Sequence, residues 1–134
     1  MNQKIRHGVH DKYGGRCAYC GRTVPYNKFQ VDHMIPQARS WVYKNPANKD
    51  RYKAKCDNID SFENLMPSCR RCNHYKRSRS LETFRRLMKT IHKRLADVYI
   101  FKVAVDYGIV QVEPFNGVFY FEKEDTCYGK NNSY

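Results

Sequence analysis

Two Cys-x-x-Cys pairs, Cys17/Cys20 and Cys69/Cys72, constrain this chain more than any other feature. Two intervening residues let both thiolates of a pair reach one ion from a single turn, and four thiolates complete a tetrahedral shell. The pairs are separated by positions 21–68, a stretch of 48 residues. One shared ion would therefore close a long loop and bring its ends together. Zinc suits such a site because it is redox-inert and indifferent to d-electron geometry; iron is the other candidate. A thioredoxin-like redox pair is disfavoured, since there are two pairs and no βαβ pattern surrounds them. Gly21 follows the first pair and lets the backbone turn tightly. Cys56 and Cys127 stand alone and read as ordinary thiols.

The segments around the staple alternate between short strands and helices. Ile5, Val9 and Tyr13 recur every four residues, which predicts a short helix ended by Gly14-Gly15. Phe29-Gln30-Val31-Asp32-His33 alternates apolar and polar as a half-buried strand does, and Pro36 stops it. Residues 38–58 read as a loop insertion carrying Trp41, Tyr43, Tyr52 and a run of Lys and Arg. Asn64 to Pro67 reads as a second short strand or a turn, and the second cysteine pair leads into a polar helix through about Lys76. Ser80 is placed to cap a helix on which Leu81, Phe84, Leu87, Met88, Ile91 and Leu95 form one amphipathic stripe. Residues 97–107 lean to helix, and 109–112 and 118–122 flank Pro-Phe-Asn-Gly as the arms of a hairpin. The last ten residues are polar.

Charge narrows the partner. The 134 residues carry a formal net charge of +12, unevenly spread. Residues 1–36 have six Lys/Arg against two Asp/Glu, residues 37–94 sixteen against five, and residues 95–134 three against six. A positive field concentrated on the middle of a chain suits a polyanion, because neutralised phosphates release counterions. No apolar run approaches the roughly 20 residues that span a bilayer. The first ten residues lack the apolar core of a signal peptide, so the chain reads as cytoplasmic with no membrane partner.

Between and after the knuckles stand Asp32-His33-Met34-Ile35-Pro36, then Asn64-Leu65-Met66-Pro67, then Cys72-Asn73-His74-Tyr75-Lys76. The string C-x-x-C, D-H-x-x-P, N-L-x-P-x-C-x-x-C-N-x-x-K, in that order over roughly residues 13–88, resembles the HNH endonuclease family. Each piece alone is weak; the ordered set is specific. The gap between His33 and Asn64 is longer than is usual in that family and lacks its Gly-Gly turn.

The resemblance implies an α+β fold: a small ββα-metal domain stapled by a four-cysteine zinc site, flanked by helices, with a C-terminal β-hairpin. Residues 1–95 would form the nuclease domain, and 96–134 an extension of helix plus hairpin packed on it. It implies a catalytic divalent ion held by Asp32 and Asn73, whose oxygens suit Mg²⁺ or Mn²⁺. His33 would be the general base, and Asn64 would hydrogen-bond across the loop to fix the His33 strand. The family's third position is Asn or His; here Asn73 directly follows the cysteine, with His74 next to it. DNA would be the substrate, one strand cut per event with 5′-phosphate and 3′-hydroxyl ends, by a monomer or weak dimer. Lys76, Arg77 and Arg79 would hold flanking phosphates. Arg39, Lys53 and Lys55 in the insertion would either contact DNA or form a solvated flap. Compact members of such families often belong to phages, mobile elements or bacterial defence. A zinc-stabilised DNA-binding module without activity, and an RNA-directed nuclease, remain the alternatives.

Overall fold

The computed structural model describes residues 1–36 and 59–123. Contacts divide the chain into two compact units: residues 1–80 with the stretch beginning at Phe119, and residues 81–118.

The first unit contains helix α1 (Gln3–Asp11), strands β1 (Gln30–His33) and β2 (Leu65–Ser68), and helix α2 (Arg70–Lys76). Asn2 caps α1 by accepting from the Lys4 amide at 2.7 Å, and Gly14 and Gly15 end it with φ of +66° and +79°. Val9 and Tyr13 are buried as the four-residue spacing requires, while Ile5 stays exposed. Lys12 then ties the helix to β2: its Nζ donates to the carbonyls of Phe62, Glu63 and Leu65 at 2.9, 3.3 and 3.0 Å.

β1 and β2 pair antiparallel with Gln30 opposite Ser68, Val31 opposite Pro67, Asp32 opposite Met66 and His33 opposite Leu65. Pro67 fits because a two-stranded ribbon has edges where no amide is needed; its carbonyl accepts from Ala18 N at 2.8 Å instead. α2 packs on β1 and α1 on β2. Val9, Cys17, Ala18, Tyr19, Val24, Phe29, Leu65, Met66 and Phe119 form the buried core of this unit.

Two expectations are corrected. No hairpin forms in residues 109–122: positions 110–116 have no regular structure and Tyr120–Glu122 is a 3-10 turn. The amides that would have paired the hairpin go to the first cysteine knuckle, Tyr120 N to Tyr19 O at 3.1 Å and Phe121 N to Ala18 O at 2.8 Å. Aromatic packing explains that choice. Phe119 and Phe121 meet the Tyr19 ring edge-on at 5.5 and 6.2 Å between centroids, a geometry worth about 0.5–1.5 kcal/mol per pair beyond area.

The second correction concerns the stripe from Leu81 to Leu95. It is broken at Thr90 into α3 (Leu81–Lys89) and α4 (Ile91–Leu95). Thr90 Oγ1 donates back to the carbonyls of Arg86 and Leu87 at 3.3 and 3.1 Å, competing with the helical ladder. The helix expected near 97–107 is present as α5 (Tyr99–Asp106), closed by Gly108 at φ +72° and the bond from Ile109 N to Ala104 O. Among the described residues no helix is long and apolar enough to cross a membrane.

Candidate metal centre and active site

The two knuckles meet. The sulfurs of Cys17, Cys20, Cys69 and Cys72 all lie within 4.8 Å of one another, and those of Cys20 and Cys69 are 3.9 Å apart. Four thiolates bonded at about 2.3 Å around one tetrahedral ion stand about 3.8 Å from each other, so the cluster fits zinc. The backbone shapes it. Cys17 N donates to Arg22 O at 2.8 Å and Gly21 N to Cys17 O at 3.0 Å, with Gly21 at φ +80°. The Tyr120 ring also lies so close to Gly21 that any β-carbon there would collide.

The sulfurs share protons unevenly. Hydrogen bonds from Cys20 and then Cys72 hold the Cys17 thiol far below its ordinary value. Bonds with Cys17 and then Cys20 push Cys72 far up, and the bond with Cys17 is the chief cause that raises Cys20 to about 11. Packed sulfurs cannot all ionise by themselves; a dication among them would replace the protons.

Strand and helix periodicities build the second site. Gln30 and Asp32, two apart on β1, share one face, and Asn73 and Lys76, three apart on α2, share another. The faces interlock. Asn73 Nδ2 donates to Gln30 Oε1 at 2.6 Å, and Lys76 Nζ pairs with Asp32 Oδ2 at 3.1 Å. Lys76 Nζ also donates to the His33 carbonyl at 3.1 Å, and the Tyr19 hydroxyl donates to Asp32 Oδ2 at 2.5 Å.

Both of these contacts to Asp32 fall on the same oxygen, and the Asn73 amide nitrogen is committed to Gln30. Asp32 and Asn73 each carry a further side-chain oxygen, the donor type that could hold a hard cation. Asp32 is 6% exposed and Lys76 0%. The Tyr19 phenol is driven well above its ordinary pKa, first by burial and then by the Asp32 charge.

His33 ends β1 with its ring largely shielded, and its Nε2 lies 2.9 Å from Oδ1 of the exposed Asp60. Asn64, 2% exposed, clamps the chain just beyond His33. Its Oδ1 accepts from Ile35 N at 2.8 Å, and its Nδ2 donates to the carbonyls of Ile35 and Ile59 at 3.0 and 2.7 Å. The Asn64 carbonyl accepts from Met34 N at 2.9 Å.

The geometry thus gathers Asp32, His33, Asn64 and Asn73 around the β1–β2 ribbon and α2. It removes Lys76 from the set of phosphate contacts: a fully buried ammonium paired with a carboxylate cannot reach a strand at the surface. Arg79 is half-buried and donates to the carbonyls of Tyr75 and Lys76 at 2.7 and 3.4 Å, closing the end of α2. Arg77 is exposed at φ +53°, and His74 is exposed beside the staple. Arg39, Lys53 and Lys55, with Trp41, Tyr43, Tyr52, Cys56 and Cys127, lie outside the described residues.

Three participants were missed. Gln30 was legible, standing two residues before Asp32 on a period-two strand. Tyr19, inside the first knuckle, carried a weaker signal. Nothing in the spacing marked Asp60.

A knuckle-stapled ββα unit with this residue set matches a known family: residues 17–79 correspond to the HNH endonuclease family model. That match covers both cysteine knuckles, β1, β2 and α2, 63 of the 134 residues. It is similar to a CRISPR-associated endonuclease Cas9 from Actinomyces naeslundii, at 35% identity over 63 residues, which cover 47% of this chain and 4% of that protein. Against the crystal structure of the Type II-C Cas9 enzyme from Actinomyces naeslundii the TM-score is 0.45 at 22% identity, covering 77% of this chain and 10% of that one. The chain spans only a small part of the length of either relative.

Proposed function

We propose that this chain is a metal-dependent endonuclease that hydrolyses DNA phosphodiester bonds, nicking one strand per event and leaving 5′-phosphate and 3′-hydroxyl ends. The supporting observation is the interlocked β1–α2 face, where Gln30, Tyr19 and Lys76 each take one polar atom of Asn73 or Asp32. Asp32 and Asn73 would hold Mg²⁺ or Mn²⁺, and the four cysteines a structural Zn²⁺. A divalent ion there supplies Lewis-acid stabilisation of charge developing on the phosphate oxygens.

The protein's own part is proton handling and orientation. In the tautomer that donates Nε2–H to Asp60, the His33 ring would offer Nδ1 as the acceptor for a proton from the attacking water. Asn64 acts through the backbone, holding the turn at Ile35 so that the ring cannot swing. Asp32 and Asn73 are held in place before substrate arrives, so no reorganisation is needed during reaction. One such centre cuts one strand, so a double-strand break needs two events or two copies; the chain acts as a monomer or weak dimer.

Incubating supercoiled plasmid with zinc-loaded protein, with and without Mg²⁺ or Mn²⁺, tests the reading. Nicked circles should form only with added metal, and His33→Ala should lower the rate by about 10²–10⁴-fold while DNA binding persists. Undiminished nicking by His33→Ala would overturn the base assignment. No nicking by the unaltered chain with either metal would favour the non-catalytic binding module.

A further inference from the structure

Outside the Asp32–Asn73 face, the first unit has an open cleft of about 380 Å³ lined by Arg22, Arg70, Arg71 and His74. All four side chains are exposed. Their origin is the staple itself: Arg22 follows the first knuckle, Arg70 and Arg71 lie between Cys69 and Cys72, and His74 stands two residues beyond. Among the described residues, the lining has no carboxylate and no Phe, Tyr, Trp or aliphatic side chain. Among the described residues, no carboxylate forms an ion pair with any of these arginines.

Compensation of the staple explains part of this charge. A dication held by four thiolates carries two net negative charges, and the Cys69 sulfur favours the charged form of the Arg22 guanidinium. Three guanidiniums exceed that need, and Arg70 and Arg71 are turned to solvent. Guanidinium is weakly hydrated and presents a planar fork that matches two phosphate oxygens. An open mouth lined by charged and polar side chains lets a polymer pass along it rather than enclosing a small anion.

Position links the cleft to the proposed chemistry. Arg70 precedes Asn73 by three residues, one helical turn on α2. A strand with one phosphate at Asn73 therefore runs close to the arginines with a neighbouring one.

We infer that this cleft is a second phosphate subsite, in which Arg22, Arg70, Arg71 and His74 hold a backbone phosphodiester other than the scissile one and so set the register of the bound strand. It rests on the reading that the chain binds DNA, but not on catalysis.

The test is fluorescence anisotropy with a labelled 20-base-pair DNA duplex and the full chain, zinc-loaded and free of Mg²⁺, across 50–200 mM salt. Arg70→Gln/Arg71→Gln is compared with Lys4→Gln/Lys28→Gln, which removes the same charge from exposed positions elsewhere. The cleft variant should bind about tenfold more weakly at low salt, and its log–log salt slope should shrink by about 1.8, two contacts' worth. The control should stay within about twofold in affinity, as a diffuse field requires. Circular dichroism and zinc content confirm folding, and Arg70→Lys/Arg71→Lys, which retains charge, should keep the original slope. Equal losses in the cleft and control variants, or an unchanged slope in the cleft variant, would overturn the inference. Because binding is read without Mg²⁺, a chain that nicks no plasmid sinks the catalytic proposal alone.

Discussion

Lys76 offers the sharpest test of the site. Its ammonium is fully buried, 3.1 Å from a carboxylate that is itself almost wholly buried. Replacing it by Met removes the charge and keeps the volume, leaving Asp32 with the Tyr19 hydroxyl and no counter-ion. Removing one partner of a buried pair costs about 3–5 kcal/mol, because the remaining charge is stranded in low dielectric. The bond to the His33 carbonyl adds about 1 kcal/mol. Asp32→Asn with Lys76→Met removes both charges and retains an acceptor for Tyr19, so the double variant should be less damaged than the sum of the singles. The coupling should be about 2 kcal/mol, within the usual range for residues in one network. Urea unfolding of all four proteins, followed by circular dichroism in excess zinc, measures it. Additivity within about 0.5 kcal/mol, or a Lys76→Met cost below about 1 kcal/mol, would mean the pair behaves like an exposed one. A lysine that served only as a phosphate contact would give the opposite signature: unchanged stability and a DNA salt slope smaller by about one.

Other expectations follow from the same geometry. Tyr19→Phe deletes a hydrogen bond to a charged group, worth about 1.5–3 kcal/mol. The Tyr19 pKa is raised in the folded chain, so its stabilisation is complete below the unfolded value of about 10 and is lost as pH rises through the folded one. Urea midpoints between pH 8 and 11.5 should fall more steeply for the unaltered chain than for Tyr19→Phe, and parallel curves would refute this. Asn64→Ala removes three side-chain bonds and strands the Ile35 amide. It should cost about 2–4 kcal/mol in the same urea assay, and slow plasmid nicking even where the protein remains folded; a fully active variant would show that the clamp does not position His33. Cys69→Ser, or chelation of zinc, should unfold the first unit, since structural zinc contributes on the order of 10 kcal/mol. Activity lost with an intact circular dichroism spectrum would instead make the cysteine-bound ion catalytic.

The sequence made the staple and the first strand readable because each is fixed by local spacing: two residues between cysteines, and a period of two from Phe29 to His33, leave few geometric options. Asn64 to Pro67 stayed open between strand and turn, and the role of Asn64 came from the family resemblance alone. Depth was not readable. Lys76 in a polar helix with Arg77 and Arg79 looks like surface, and only the register of α2 against β1 shows that it points at Asp32. Asp60 was invisible because its partner His33 is 27 residues away and no periodicity links them. The hairpin failed because turn chemistry at Asn116-Gly117 says where a chain reverses, not what the flanking strands bind. Here Tyr120 and Phe121 found the carbonyls of Tyr19 and Ala18.

That last contact bears on why the staple lies where it does. Tyr19 sits between Cys17 and Cys20, and Asn73 directly follows Cys72. The two proposed oxygen ligands are thus controlled from the two knuckles separately: Asp32 through the Tyr19 phenol and Asn73 through the start of α2. Neither knuckle alone would relate the two oxygens to each other; an ion bound by both pairs would add to the Asn73–Gln30 and Lys76–Asp32 contacts that join their elements. The Phe119–Phe121 segment presses on the same loop, with Tyr19 meeting both rings edge-on. A backbone error of an ångström at the knuckles would pass directly into the distance between Asp32 and Asn73, where a hard ion tolerates little. The cysteines therefore do more than substitute for a large core in a small unit. They reinforce the spacing on which the proposed chemistry depends.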